Sequence, residues 1–205
     1  LRDLLGAEEL RDLLDPGVLA DLELELQLCT DSRRIRNAEA LWDGLRLLGP
    51  LTRDELAERC GGDPTPWAEQ LLAARRLIEV VIAGRAHLAV AEDAARLRDA
   101  LGCALPIGLP TAFTEPVPDP LVELVARYAR THGPFLAVAA AARLGTAPDR
   151  VSAALGRLEQ AGRVVRGEFR PGGIEREWCD TEVLRQLRRR SLAALRREVE
   201  PVDRR

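Results

Sequence analysis

Arginine is the only strongly basic side chain in this sequence: all 30 basic residues are Arg and none is Lys. A guanidinium presents planar, paired N–H donors that match two phosphate oxygens at once. The chemistry these residues point to is therefore the holding of a phosphate backbone. They crowd the end of the chain, where residues 163–205 carry 12 Arg against 8 Asp and Glu, although the formal net charge of the whole is -3. Arg163, Arg166, Arg170 and Arg176 surround a predicted hairpin. Arg185 and Arg189 share a stripe of the final helix, which Arg188, Arg190 and Arg197 widen. Arg150 and Arg157 lie on the outer face of the helix before the hairpin. Trp178 adds an indole able to stack on an unpaired base, an interaction of about 1–3 kcal/mol, though its place in a strand favours the core. Interleaved Glu159, Glu168, Glu175 and Glu177 make an ordinary solvated face the competing reading.

Nothing comparable marks a reaction centre. There is no GxxxxGK[ST] loop, no Asp-Glu-x-His box, no HExxH and no nucleophile elbow, so nucleotide hydrolysis by this chain alone is not expected and no catalytic residue is named. His87 and His132 each stand alone in the sequence and read as structural. Cys29, Cys60, Cys103 and Cys179 are far apart without a CxxC pair, which suits idle thiols in a reducing compartment better than zinc or disulfides. No cofactor or metal site is expected. No apolar run approaches a membrane span and no signal-peptide pattern opens the chain, so a cytoplasmic location is expected. The chain has no Met and opens mid-pattern, which reads as a piece of a longer protein.

The elements that must position these residues form a unit that occurs twice. In residues 37–102, a helix carrying Leu41, Leu45 and Leu48 ends at Gly49-Pro50. Thr52 and Glu55 make a capping box for a second helix, and a third carries Trp67, Leu71 and Leu72. Two strands follow, Leu77 to Ile82 and His87 to Val90, then a closing helix. The same order returns in residues 120–205. Leu121, Leu124, Val125 and Tyr128 form a helical face, and Gly133-Pro134-Phe135 is a short strand. Helices at 138–144 and 148–161, strands at 163–169 and 174–179, and a long helix capped by Asp180 or Thr181 complete it. Residues 1–36 are a helical lead-in. Residues 103–119 carry Pro106, Pro110, Pro116 and Pro118 and read as a semi-rigid connector. Helix, short strand, helix, helix and hairpin is the layout of a winged helix. The fold class is thus mainly α with small β-hairpin wings, α+β, in tandem winged-helix domains. In this layout the third helix commonly enters the major groove and the wing lies along the backbone. In the first unit that helix exposes Glu69, which repels phosphate, so packing against a neighbouring domain suits it better.

Several runs carry a family resemblance: Tyr128-Ala129-Arg130-Thr131-His132-Gly133-Pro134-Phe135, then Leu158-Glu159 with Gly162, Val164-Val165 and Gly167-Glu168-Phe169, then Glu177-Trp178-Cys179-Asp180 and Leu187-Arg188-Arg189-Arg190-Ser191. Leu10-Arg11-Asp12-Leu13-Leu14-Asp15-Pro16 and Leu48-Gly49-Pro50-Leu51-Thr52 also fit. Together they resemble the region after the motor of large helicase-related (Lhr) proteins, superfamily-2 DNA helicases of bacteria and archaea. In that family two RecA-like ATPase domains precede a winged helix and a larger C-terminal module. That module is similar in fold to the tandem winged helices of a crosslink-repair DNA glycosylase family. The resemblance implies ATP-dependent 3′-to-5′ translocation on single-stranded DNA and unwinding of RNA:DNA hybrids or DNA duplexes in DNA repair. ATP and Mg would then belong to motor domains against which this segment docks, since it lacks every motor motif. Two alternatives stay open: a glycosylase-like module acting on damaged bases, and a stand-alone winged-helix DNA-binding regulator.

Overall fold

The computed structural model describes residues 14–170 and 175–199. The leucine pattern of residues 1–13, Pro171-Gly172-Gly173 of the wing turn expected at 170–173, and Ile174 at the start of the strand expected after it lie outside the described residues. Helix α1 (Pro16–Leu26) is followed by α2 (Ala38–Leu48), α3 (Arg53–Arg59), α4 (Thr65–Ala73), β1 (Leu77–Ile82), β2 (Arg85–Val90) and α5 (Ala94–Leu101). After the connector come α6 (Pro120–Thr131), α7 (Ala137–Leu144), α8 (Pro148–Gln160), β3 (Val164–Gly167), β4 (Glu177–Asp180) and α9 (Thr181–Val199). The fold is α+β, mainly helical, with two small antiparallel hairpins.

Local chemistry sets the element ends. Asn37 accepts from the Ala40 N–H at 2.8 Å and starts α2. At α3, Thr52 Oγ1 accepts from the Glu55 N–H and Glu55 accepts from the Thr52 N–H, the reciprocal box expected from the sequence. Asp180 caps α9 by accepting from the Glu182 N–H at 2.8 Å. Each hairpin gains a third, one-residue strand from the segment after the unit's first helix: Leu51 bridges Leu88, and Phe135 bridges Trp178. Three-stranded wings of this kind complete the winged-helix layout in both units.

The second hairpin is shorter than the strands expected at 163–169 and 174–179. Phe169 leaves the ladder because its ring enters the core beneath α1 and α9, where it is 2% exposed. A side chain of that size gains more from burial there than from two further ladder bonds on an exposed edge.

The first hairpin is covered along one face and at the base of the other, where Glu79 and Val81 stay exposed. Leu77, Leu88 and Val90 pack on α2, α3 and α4. On the opposite face, Ile78, Val80, Ile82 and Ala89 join one continuous core with α5, α6, α7 and α8. Register explains the sorting, since Ile78 faces Ala89 and Val80 faces His87 across the ladder. Ile78, Val80 and Ile82 of Leu-Ile-Glu-Val-Val-Ile supply the fully covered face, while the partly open face carries Glu79. Contact with the second unit thus falls to the wing of the first unit and to its helices α2 and α5, both of which pack on α6. It does not fall to α4, whose Glu69, Gln70 and Ala73 stay exposed.

The lead-in also serves the second unit. Leu22 of α1 packs among Phe169, Cys179, Val183 and Leu187. Glu25 makes a two-armed ion pair with Arg190 at 2.7 and 2.8 Å, and the buried Ser191 hydroxyl accepts from the Asp15 N–H. The connector is fastened as well, with Leu105, Leu109 and Phe113 half-buried against the shared core.

Gly145 marks how closely the units approach. It ends α7 at φ +61, and a Cβ added there would sit 2.8 Å from the Ala83 backbone nitrogen in the first hairpin turn. Gly145→Ala is expected to lower stability by about 2 kcal/mol, from the left-handed backbone and from backbone overpacking together. Chemical denaturation measures it; a loss below about 0.5 kcal/mol would mean that the turn yields freely.

Candidate nucleic-acid interface

Helix α9 turns two stripes in different directions. Val183, Leu187 and Ser191 face α1 and are buried. Thr181, Leu184, Arg185 and Arg188 line a groove between α9 and β3. The helical period of 3.6 places residues 181, 184, 185 and 188 on one face. Arg166 and Arg176, from the two sides of the wing, reach the same groove, which encloses about 610 Å³. Arg166, Arg176, Arg185 and Arg188 are all exposed. Arg185 pairs with Glu182 one turn back, and the Arg166 guanidinium lies 5.4 Å above the Trp178 ring. Three of the residues named from sequence, Arg166, Arg176 and Arg185, are thus brought together. Arg188 joins them; the sequence marked it only as widening the basic surface. Arg163 and Arg189 are exposed nearby, at the start of the wing and on α9.

The other expected contacts fall elsewhere. Arg150 donates to the Ala100 carbonyl at 3.0 Å and to Thr146 Oγ1 at 2.9 Å. Arg157 grips Asp119 with two bonds of 2.6 Å. Both therefore fasten α8 to the chain around the connector, and neither lines the groove. Trp178 is 7% exposed in the shared core, so its ring is no platform for a base. Arg170 is exposed but engaged: it donates to the Pro134 carbonyl at 2.6 Å and pairs with the buried Glu177 at 3.1 Å. Burial pushes the Glu177 carboxyl up, and Arg170 pulls it back. Removing Arg170 would disturb the wing itself.

A second concave site was not legible in the sequence. A cavity of about 220 Å³ opens between the two units. Both histidines reach it, one from β2 and one from the end of α6, although each had read as isolated. His132 stacks on Tyr128 with ring centroids 3.7 Å apart. Glu55 stands at the rim. Burial pushes its carboxyl up, but the Thr52 backbone N–H and Arg143, which donates at 2.6 Å, outweigh that and hold it below the usual carboxylate range. The only sequence signal for this site is the spacing of Tyr128 and His132 by one helical turn; nothing local links them to His87.

Burial holds both histidines below their usual 6.5. Around His87 the Arg85 carbonyl and Glu55 oppose that effect while Arg143 and Arg85 reinforce it. Around His132 the Tyr128 carbonyl and Glu23 oppose it while Arg143 and Arg59 reinforce it. In the fold both stay neutral at a pH where the unfolded chain already takes up protons. Stability is therefore expected to fall as the pH drops from about 7 through the folded-state values. Thermal unfolding between about pH 7.5 and pH 5.5 measures this. Replacing both histidines with Gln should flatten the slope, and an unchanged slope would place the titration elsewhere.

Two units of helix, strand, helix, helix and hairpin define a tandem winged-helix protein. The family described as "Large helicase-related protein, winged-helix domain" matches residues 12–116. The chain is 49% identical over 204 residues to the "Lhr helicase/ probable uracil glycosylase" of Mycolicibacterium smegmatis, covering 99% of this chain and 14% of that protein. It is 39% identical over 206 residues to the "Lhr helicase/uracil glycosylase" of Escherichia coli, covering 98% of this chain and 13% of that protein. The chain belongs to the large helicase-related family, and it spans about one-seventh of the length of these relatives. Among the described residues, no helix is long and apolar enough to cross a membrane.

Proposed function

We propose that this chain is a non-catalytic nucleic-acid-binding and docking segment of an ATP-dependent DNA helicase. In this reading residues 37–102 and 120–205 act as two winged units, braced by 1–36 and 103–119. The remainder of the protein supplies ATP- and Mg-dependent 3′-to-5′ movement, with single-stranded DNA or an RNA:DNA hybrid passing over this surface during DNA repair in the bacterial cytoplasm. The observation that carries the reading is the groove in which Arg166, Arg176, Arg185 and Arg188 converge from the wing and α9. Such a groove suits phosphates irrespective of base sequence.

The test is a fluorescence-anisotropy titration of labelled single strands and hybrids at two salt concentrations. Binding should be weak, insensitive to sequence and steeply weakened by salt. Arg166→Ala combined with Arg188→Ala should lower the salt slope by about two, one for each phosphate contact, whereas Arg157→Ala should leave it unchanged. If the double variant binds like the parent chain, the arginines are only solvated and the segment is a scaffold for the motor. The purified chain should hydrolyse no ATP.

A second reading, removal of damaged bases, is supported by the glycosylase designation of both relatives. Base release from uracil-containing single strands by the 205-residue chain would favour it; no release beside intact binding favours the first.

A further inference from the structure

Helix α9 keeps apolar surface that the rest of the fold leaves open. Ser191 is its last buried residue among those described, and the helix continues to Val199. Leu192 and Leu195, in that final part, are 44% and 40% exposed and belong to none of the apolar clusters of the core. Single exposed leucines are common. These two are set apart by their position. Thr181, Arg185, Arg188, Leu192 and Leu195 follow one another at steps of four and three residues, the spacing of one helix face. Thr181, Arg185 and Arg188 line the arginine groove. The leucines therefore continue the groove's own face of α9 towards the end of the helix.

Positive charge surrounds both. Arg188 and Arg189 stand one turn before Leu192 and Arg196 one turn after it, and all three are exposed. Arg185 pairs with Glu182 and Arg190 with Glu25, but among the described residues no carboxylate is paired with Arg188, Arg189 or Arg196. Residues one turn apart on a helix have their Cβ atoms about 5–6 Å apart, so each leucine lies within reach of an unopposed guanidinium. Two part-exposed leucines fall far short of the roughly 800 Å² per partner that a stable protein interface buries. They match a nucleotide better, in which a flat base hangs beside a charged phosphate. An unpaired base can lay one face on an apolar side chain, whereas in a duplex both faces are covered by neighbouring bases. From Arg185 to Arg196 the helix rises roughly 16 Å, the length of about five nucleotides of a stacked strand at about 3.4 Å each.

We propose that Leu192 and Leu195 are platforms for unpaired bases, on a track that leaves the arginine groove and runs along α9. The inference rests on the nucleic-acid reading above and narrows it. This part of the surface takes strands whose bases are free, and a hybrid would have to open to use it. Phosphates lie on Arg188, Arg189 and Arg196 while the bases turn towards the leucines. A leucine meets only the flat face that every base has, so the contact is indifferent to sequence. It releases no counterion, so its contribution does not fade with salt as the phosphate contacts do.

The experiment is a fluorescence-anisotropy titration of the whole 205-residue chain at two salt concentrations. The probes are a labelled single strand of about ten nucleotides, the same strand with abasic residues in place of its central nucleotides, and the matching RNA:DNA hybrid. The abasic strand keeps every phosphate, yet it should bind about fivefold more weakly than the intact one. Leu192→Ala combined with Leu195→Ala should weaken the intact strand about fivefold. The same variant should leave the salt slope, the abasic strand and the hybrid unchanged. Leu192→Trp should strengthen the intact strand alone, by about fivefold or more, because an indole stacks on a base better than leucine does. Both positions are exposed, and far-UV circular dichroism checks that the variants fold. Equal binding of intact and abasic strands by the parent chain would overturn the proposal and leave the leucines to a protein partner. So would leucine variants that change both strands alike. If Arg166→Ala with Arg188→Ala still lowers the salt slope in that case, the phosphate reading stands and only the base platforms fall. A parent chain that binds no strand at all would remove both.

Discussion

Val80→Asp should lower unfolding stability by about 4 kcal/mol or more, while Val81→Asp one residue later should change it by about 0.5 kcal/mol or less. The contrast rests on the period of two along a strand. Val80 is 2% exposed and faces the core shared with α6, α7 and α8, whereas Val81 is 62% exposed. A carboxylate at position 80 has no partner in that core and must either bury a charge or be driven to its neutral form. Urea denaturation of the two variants measures the difference. Equal losses would mean that the first hairpin does not seal the seam, and that the units can part without exposing a common core. The same series should show one cooperative transition in the parent chain, since apolar residues of both units belong to a single cluster.

Asp93→Ala should cost about 3–5 kcal/mol. Asp93 follows the first hairpin, its side chain is 3% exposed, and it accepts from Arg127 of α6 and from Arg96. Arg96 keeps a second carboxylate, Glu123, at 2.7 Å. Arg127, with a side chain 14% exposed, would be left as a buried cation without its acid. Breaking such a pair costs more than replacing it by apolar groups, because the remaining charge stays desolvated. Asp93→Ala combined with Arg127→Met is therefore expected to be less destabilised than the sum of the single changes, in a double-mutant cycle followed by chemical denaturation. Simple additivity would show that the two side chains do not act as a pair and that the seam is held by apolar contact alone.

Both results bear on function through the relative placement of the units. The arginine groove lies wholly in the second unit, yet α1 and the first hairpin hold that unit's helices from two sides. The interface is thereby carried on packed elements. A loosened seam would be expected to blur the spacing of Arg166 and Arg188 without touching either.

What the sequence by itself determined is local. Asn37, the Thr52–Glu55 box and Asp180 specify helix starts because each cap is satisfied within three residues. The helical period separates the Val183–Leu187 stripe from Arg185 and Arg188, and the repeated order of elements specifies two winged units. The family resemblance was legible for the same reason, since it rests on short runs of residues. Only the tertiary structure decided which arginines are available. Arg157 and Arg166 look alike in a sequence, but Asp119 comes back over one, and among the described residues no carboxylate is paired with the other. Only it decided that the lead-in serves the second unit, where Leu22 meets Phe169 far along the chain, and that His87 and His132 share a cavity. Periodicity reports which face of an element is apolar, and not which partner covers that face. The partner is chosen by the total area that all faces bury together, and that is a property of the assembled chain.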